Sequence, residues 1–129
     1  MGKRILLIDD NERFLKMMDS LLASEGYDII TLGDPIKTED YIEEYRPDLL
    51  IIDIFMPGRT GFNIIEDFSE KGMYSEIPKI FLTGLDDDVE KSVAKSCGIS
   101  YYITKPFQPD ELLEAIETIF YEARPEAAR

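Results

Sequence analysis

The chain has 129 residues, 44% of them hydrophobic and 32% charged, with 14 basic against 27 acidic side chains and a formal charge of −13. That length fits one domain able to bury roughly two-thirds of the surface of its unfolded form, and the charge argues against direct binding to nucleic acid or to an anionic membrane surface, both of which need Lys and Arg clusters. There is no histidine and one cysteine, Cys97, which removes Ser-His and Cys-His catalysis, histidine-ligated zinc and an internal disulfide, and makes a reducing cytoplasm the expected compartment.

No apolar run approaches the ~20 residues that span a bilayer. Lys3 and Arg4 precede an apolar run, but Asp9 and Asp10 interrupt it after Ile8, too soon for a signal-peptide core. The segment Arg4 to Asp9 reads as a buried strand. A helix follows with Phe14, Met18, Leu21 and Leu22 on one face, the spacing of an amphipathic helix. Tyr27 to Leu32 is the second strand. Asp34-Pro35 supplies a helix start, Asp as N-cap and Pro at the first helical position, with Tyr41, Ile42 and Tyr45 as the apolar stripe and Pro47 as the stop.

Leu49 to Ile52 is the third strand, followed after Gly61 by a helix carrying Phe62, Ile65 and Phe68 and ending near Gly72. Pro78 opens a fourth strand, Lys79 to Leu82. Asp86, Asp87 and Asp88 crowd the next helix N-terminus, where negative charge complements the dipole. Val89, Val93 and Cys97 are its expected inner face, which makes Cys97 a small core residue, and Gly98 is its stop. Tyr101 to Thr104 is the fifth strand, and the last helix begins near Pro109 and buries Leu112, Leu113, Ile116, Ile119 and Phe120. Uniformly apolar strands alternating with amphipathic helices imply a doubly wound α/β fold with a parallel sheet covered on both faces. One domain over residues 1–122 is expected, with 123–129 as a C-terminal tail or linker stub.

In such a sheet the ligand sits beyond the carboxyl ends of the strands. Those ends carry Asp9-Asp10, Asp53, Thr83 and Thr104-Lys105. The most demanding is Asp53, a carboxylate closing the apolar run Leu49 to Ile52, because a buried charge without partners costs several kcal/mol. Three carboxylates without imidazole or thiolate make an all-oxygen site suited to Mg²⁺, or to Mn²⁺. Lys105 is a point cation suited to a carboxylate or phosphate partner, and a carboxylate can act as the nucleophile that forms an aspartyl phosphate. Asp53 is the best placed for that role, with its charge balanced by a divalent cation and Lys105.

The ordered set Asp9-Asp10, Asp53 with Met56-Pro57 and Gly61, Thr83-Gly84 and Lys105-Pro106 resembles the receiver domain of two-component response regulators, from about Lys3 to Tyr121. The resemblance implies a five-stranded sheet in the order 2-1-3-4-5, and a phosphoryl group received on Asp53 from a histidine kinase or histidine phosphotransfer protein. It implies Mg²⁺ held by Asp10 directly, by Asp9 through water, by Asp53 and by the backbone carbonyl of Phe55. Lys105 would pair with Asp53 or the phosphoryl oxygens, Thr83 would hydrogen-bond the phosphoryl group, Tyr102 would be the aromatic switch, and the Lys105-Pro106 bond would be cis. The chain would then be a signalling switch rather than an enzyme, acting on a downstream effector. Its communicating surface would be the last helix pair and strand, with Lys91, Lys95, Tyr101, Tyr102 and Glu114 exposed and dimerisation through that face an option.

Three positions depart from the family's habit. Phe55 and Leu85 flank the phosphoryl site where polar residues are frequent, which would slow self-dephosphorylation by excluding or misplacing water. Arg59 stands in a turn where a hydrophobic residue is common. Two rival readings stand beside this one. A Mg²⁺-dependent aspartyl-phosphate phosphatase of the haloacid-dehalogenase type needs an acid two residues after the nucleophile, where this chain has Phe55. A phosphorylation-independent binding module leaves the clustered acids without compensation, yet stays open as an alternative. The bland roles are helix capping for Asp9-Asp10 and Asp86-Asp88, a strand-end hydroxyl for Thr83, a half-buried strand aromatic for Tyr102, and packing for the methionines, Tyr41 and Tyr45.

Overall fold

The computed structural model describes residues 2–84 and 87–124. Five strands, β1 (Arg4–Ile8), β2 (Asp28–Leu32), β3 (Leu49–Asp53), β4 (Lys79–Thr83) and β5 (Tyr101–Thr104), pair in parallel in the order β2-β1-β3-β4-β5. Between and after them run α1 (Glu12–Ser24), a 3-10 turn (Pro35–Lys37), α2 (Thr38–Tyr45), α3 (Gly61–Lys71), α4 (Asp88–Ser96) and α5 (Pro109–Glu122). The doubly wound architecture and its strand order are those expected. No described helix is long and apolar enough to cross a membrane.

The strands are apolar on both faces because both faces are covered. Leu6, Ile8, Leu50, Ile52 and Phe81 pack with Ile42 of α2 and Ile64, Ile65 and Phe68 of α3. Ile5, Leu7, Leu49, Ile51, Ile80 and Leu82 meet Leu15, Met18 and Leu22 of α1 and Leu112, Ile116 and Ile119 of α5. Helix starts follow local chemistry. The Asn11 side chain accepts the Phe14 N–H at α1, and Thr60 and Asn63 form a reciprocal capping box at α3. Asp34 caps the 3-10 turn, so α2 begins three residues later than its Asp-Pro signal suggests.

Helix α4 departs from expectation. Val89, Val93 and Cys97 do not form the inner face of α4: Val89 is 72% and Val93 44% exposed, and Cys97 is exposed at the helix C-cap. The buried residue of α4 is Ala94. A short helix lying close over the sheet seats a methyl there, and larger apolar side chains are turned to solvent. Asp87 is the N-cap, accepting the N–H groups of Val89 and Glu90. Leu85 and Asp86 lie outside the described residues.

Candidate functional site

With β1 lying between β2 and β3, the chain leaves β1 at the point where the winding reverses, the position at which such sheets form a crevice. Asp9 and Asp10 follow β1 and Asp53 ends β3, so the crevice is lined with acid. One carboxylate oxygen from each of the three lies within 4.8 Å of the other two. Asp10 is exposed at the rim, whereas Asp9 is 1% and Asp53 8% exposed.

Asp9 is held on both oxygens. Its Oδ1 accepts the Asn11 N–H at 2.9 Å and its Oδ2 accepts from Lys105 Nζ at 2.8 Å. Lys105 Nζ is also 4.0 Å from Asp53 Oδ1, so it faces both carboxylates, with its shorter contact to Asp9. The carboxylate buried more deeply takes the ammonium. Lys105 also lies over the Phe14 ring, 4.1 Å from its centroid, and Phe107 meets Phe14 edge-on at 6.2 Å. This aromatic seat for the lysine was not legible beforehand: Phe14 reads as core, and only the fold brings it to residue 105. The Lys105-Pro106 peptide is cis.

Burial pushes the Asp53 carboxyl up from 3.8 to about 6. The Asp9 charge adds to this, Lys105 opposes it, Asp10 adds, and a hydrogen bond from the Phe55 backbone opposes. Three acids facing one lysine therefore hold excess negative charge in a partly desolvated crevice, which is the environment that favours a bound cation. The donors are all oxygen, which fits a hard divalent ion such as Mg²⁺. The Phe55 ring itself is 52% exposed beside this rim.

Thr83 and Tyr102 stand on adjacent strands. Thr83, fully buried at the end of β4, is in register with Thr104, and Tyr102 is in register with Phe81. The half-buried Tyr102 hydroxyl donates to Glu90 Oε2 of α4 at 3.4 Å, with the Thr83 side chain beside it. Burial, then the Glu90 charge, raises the Tyr102 pKa. The Lys91 ammonium lies 5.9 Å from the Tyr102 ring centroid. Of the surface residues expected on this side, Lys95 and Glu114 are exposed, while Lys91, Tyr101 and Tyr102 are half-buried.

Arg59 carries no chemistry by its sequence position, but its side chain is 10% exposed and both terminal nitrogens are engaged. It forms a two-pronged contact with Glu39, at 2.7 and 2.6 Å, and reaches Asp67 at 2.9 Å and the Pro35 carbonyl at 3.1 Å.

Known proteins share this fold. The family described as the response regulator receiver domain matches residues 5–117. Among solved structures, the Vibrio cholerae chemotaxis protein CheY4 is 26% identical, with a TM-score of 0.84 over 92% of this chain and 99% of that one. A CheY-like response regulator receiver domain protein from Methanospirillum hungatei is 29% identical, with a TM-score of 0.82 over 95% and 96%. The BeF3-activated N-terminal receiver domain of Klebsiella pneumoniae RstA is 25% identical, with a TM-score of 0.81 over 90% and 97%. The match spans most of the chain and includes every strand and the acidic crevice, and the chain belongs to the response regulator receiver domain family of two-component signalling.

Proposed function

We propose that the chain is a phosphorylation-controlled switch in which Asp53 is the phosphoacceptor. The observation that carries this is the crevice itself: the Asp53 carboxylate, grouped with Asp9 and Asp10 and 4.0 Å from Lys105, is the nucleophile best placed for an anionic electrophile. With a pKa of about 6 it is largely ionised at neutral pH. An Asp53 oxygen forms a bond to the phosphorus of a partner's phosphohistidine as the P–N bond breaks. The electron pair stays on the imidazole nitrogen, and the product is an acyl phosphate on Asp53. The donor is a histidine kinase or a histidine phosphotransfer protein.

Asp10, Asp53, the Phe55 backbone carbonyl and Asp9 would hold Mg²⁺, Asp9 through water because both its oxygens are engaged by protein donors. When bound, that ion supplies charge neutralisation for the phosphoryl oxygens. Lys105 contributes a second positive charge, and Thr83 donates its hydroxyl to a phosphoryl oxygen. Tyr102 donates to Glu90 and has Thr83 beside it, so a Thr83 drawn toward Asp53 changes the surroundings of Tyr102 and with them the face formed by α4, β5 and α5. A ligand shifts such an equilibrium only by its differential affinity for the two arrangements, and the phosphoryl group has that difference through Thr83. A downstream effector, or a second copy of the chain, would read that face. The switch would occupy residues 1–122.

Incubation with acetyl phosphate and Mg²⁺, followed by intact-mass measurement, tests the proposal. A single phosphoryl adduct that disappears with a chelator and in Asp53→Asn is expected. No adduct on a protein that binds Mg²⁺ would favour a phosphate-independent binding module.

A further inference from the structure

The loop that joins β3 to α3 runs from Ile54 to Thr60 and is closed by the Gly61 N–H donating to the Ile54 carbonyl at 2.8 Å. It follows Asp53 directly and includes Phe55. Its inner side is fixed by buried Met56, and its outer end carries Arg59 just after Gly58, which turns the chain with φ 84°. The Arg59 guanidinium engages Glu39 of α2 with both terminal nitrogens, Asp67 of α3 with one, and the Pro35 carbonyl of the 3-10 turn with the other. One side chain thus joins the loop to the elements on both sides of it. A hydrophobic side chain could fill the same space, and a partly buried ion network of this kind adds little net stability over such a replacement. What the forked guanidinium adds is direction, because a planar donor meeting a carboxylate on two atoms admits one orientation.

We propose that Arg59 is a positioning residue for the phosphoacceptor loop: its clasp on Glu39, Asp67 and Pro35 holds the β3–α3 loop in the geometry that cation and phosphoryl group require, and makes α2 a lever on the site. The cation part rests on the function proposed above; the loop-holding part does not. Any partner that displaces Glu39 or tilts α2 then loosens the loop that follows Asp53, at a distance from the carboxylates themselves.

Four measurements on wild type, Arg59→Leu, Arg59→Lys, Glu39→Gln and the Arg59→Leu/Glu39→Gln pair decide it: Gly61 amide exchange in metal-free protein, Mg²⁺ affinity by calorimetry, the acetyl phosphate reaction rate at saturating Mg²⁺, and the melting temperature. Arg59→Leu is expected to melt close to wild type while its Gly61 amide exchanges roughly tenfold faster and its Mg²⁺ affinity falls about tenfold, as for other residues that orient metal ligands. Arg59→Lys should recover part of both losses. The double variant should lose no more than Arg59→Leu alone, because the two residues form one clasp. Unchanged exchange and Mg²⁺ affinity in a folded Arg59→Leu would overturn the proposal. If that variant does not fold, the same readings on Arg59→Lys and Glu39→Gln decide, and wild-type values in both would overturn it. A wild type that binds no Mg²⁺ and takes no phosphoryl group would defeat the proposed function, while the exchange of Gly61 would still decide whether Arg59 holds the loop.

Discussion

Lys105 Nζ sits 2.8 Å from Asp9 Oδ2 but 4.0 Å from Asp53 Oδ1. The lysine therefore neutralises the carboxylate that is most buried, and the carboxylate proposed as acceptor keeps unbalanced charge. This unequal sharing has consequences for stability and chemistry alike.

Removing the ammonium leaves Asp9 buried without its cation, the case in which a broken buried pair is most costly. Lys105→Met should destabilise the protein by about 2–4 kcal/mol, read as a lower urea midpoint at neutral pH, and Lys105→Arg by much less. A loss below about 1 kcal/mol in the Met variant would mean that Asn11 and solvent already satisfy Asp9.

The Asp53 pKa of about 6 stands above its ordinary 3.8, so the folded protein binds more protons than the unfolded chain between those values. Stability from this group then falls as pH rises through that window, and above it the charged carboxylate is a standing cost of about 1–3 kcal/mol. Asp53→Asn in a chelator should be more stable than wild type at pH 7.5, and the gap should close below pH about 4. Added Mg²⁺ should raise the wild-type midpoint and leave the variant nearly unchanged. A wild type more stable than Asp53→Asn at pH 7.5 without metal would contradict this.

Gly61 carries a steric constraint at the start of α3. A Cβ there would lie 3.0 Å from both the Asp53 carbonyl oxygen and the Ile54 Cα, and 3.3 Å from Ile52 Cγ2. These are mostly backbone atoms of the segment that aims Asp53, so they cannot turn aside. Gly61→Ala should cost about 1–3 kcal/mol and slow reaction with acetyl phosphate, because relief of the clash displaces Asp53. An unchanged melting temperature together with an unchanged rate would show that the segment yields freely.

Phe55 places a large apolar ring at the rim of the crevice, and Leu85 follows Thr83 by two residues. Replacing both with polar residues should shorten the phosphoryl lifetime by roughly tenfold, the scale of a positioned proton-accepting or water-orienting group. An unchanged lifetime would remove these side chains from the account of hydrolysis.

The sheet was legible because fully buried parallel strands read as unbroken apolar runs; the expected strands at Leu49 and Lys79 end within one residue of the observed β3 and β4. The acidic residues were legible because a carboxylate at the end of such a run has no apolar explanation. Helix α4 was misread because period alone selects the largest apolar residues, Val89, Val93 and Cys97, whereas packing selected Ala94. The partners of Arg59 and Lys105 were illegible for a different reason. Glu39 is 20 residues from Arg59 and Asp9 is 96 from Lys105, and neither spacing belongs to any local period. Lys79 read only as the start of a strand, yet its buried ammonium donates to the carbonyls of Tyr74 and Ile77, each at 2.6 Å.

Reductive trapping of the acyl phosphate tests the assignment of Asp53 most directly. After reaction with acetyl phosphate and Mg²⁺, borohydride converts a phosphorylated aspartate to homoserine, and peptide mass spectrometry locates it. Homoserine at position 53, absent when the chelator is present or the phosphodonor is withheld, is the predicted result. Homoserine at position 9 or 10, or at neither of these nor 53 in protein shown to carry an adduct, would contradict the account.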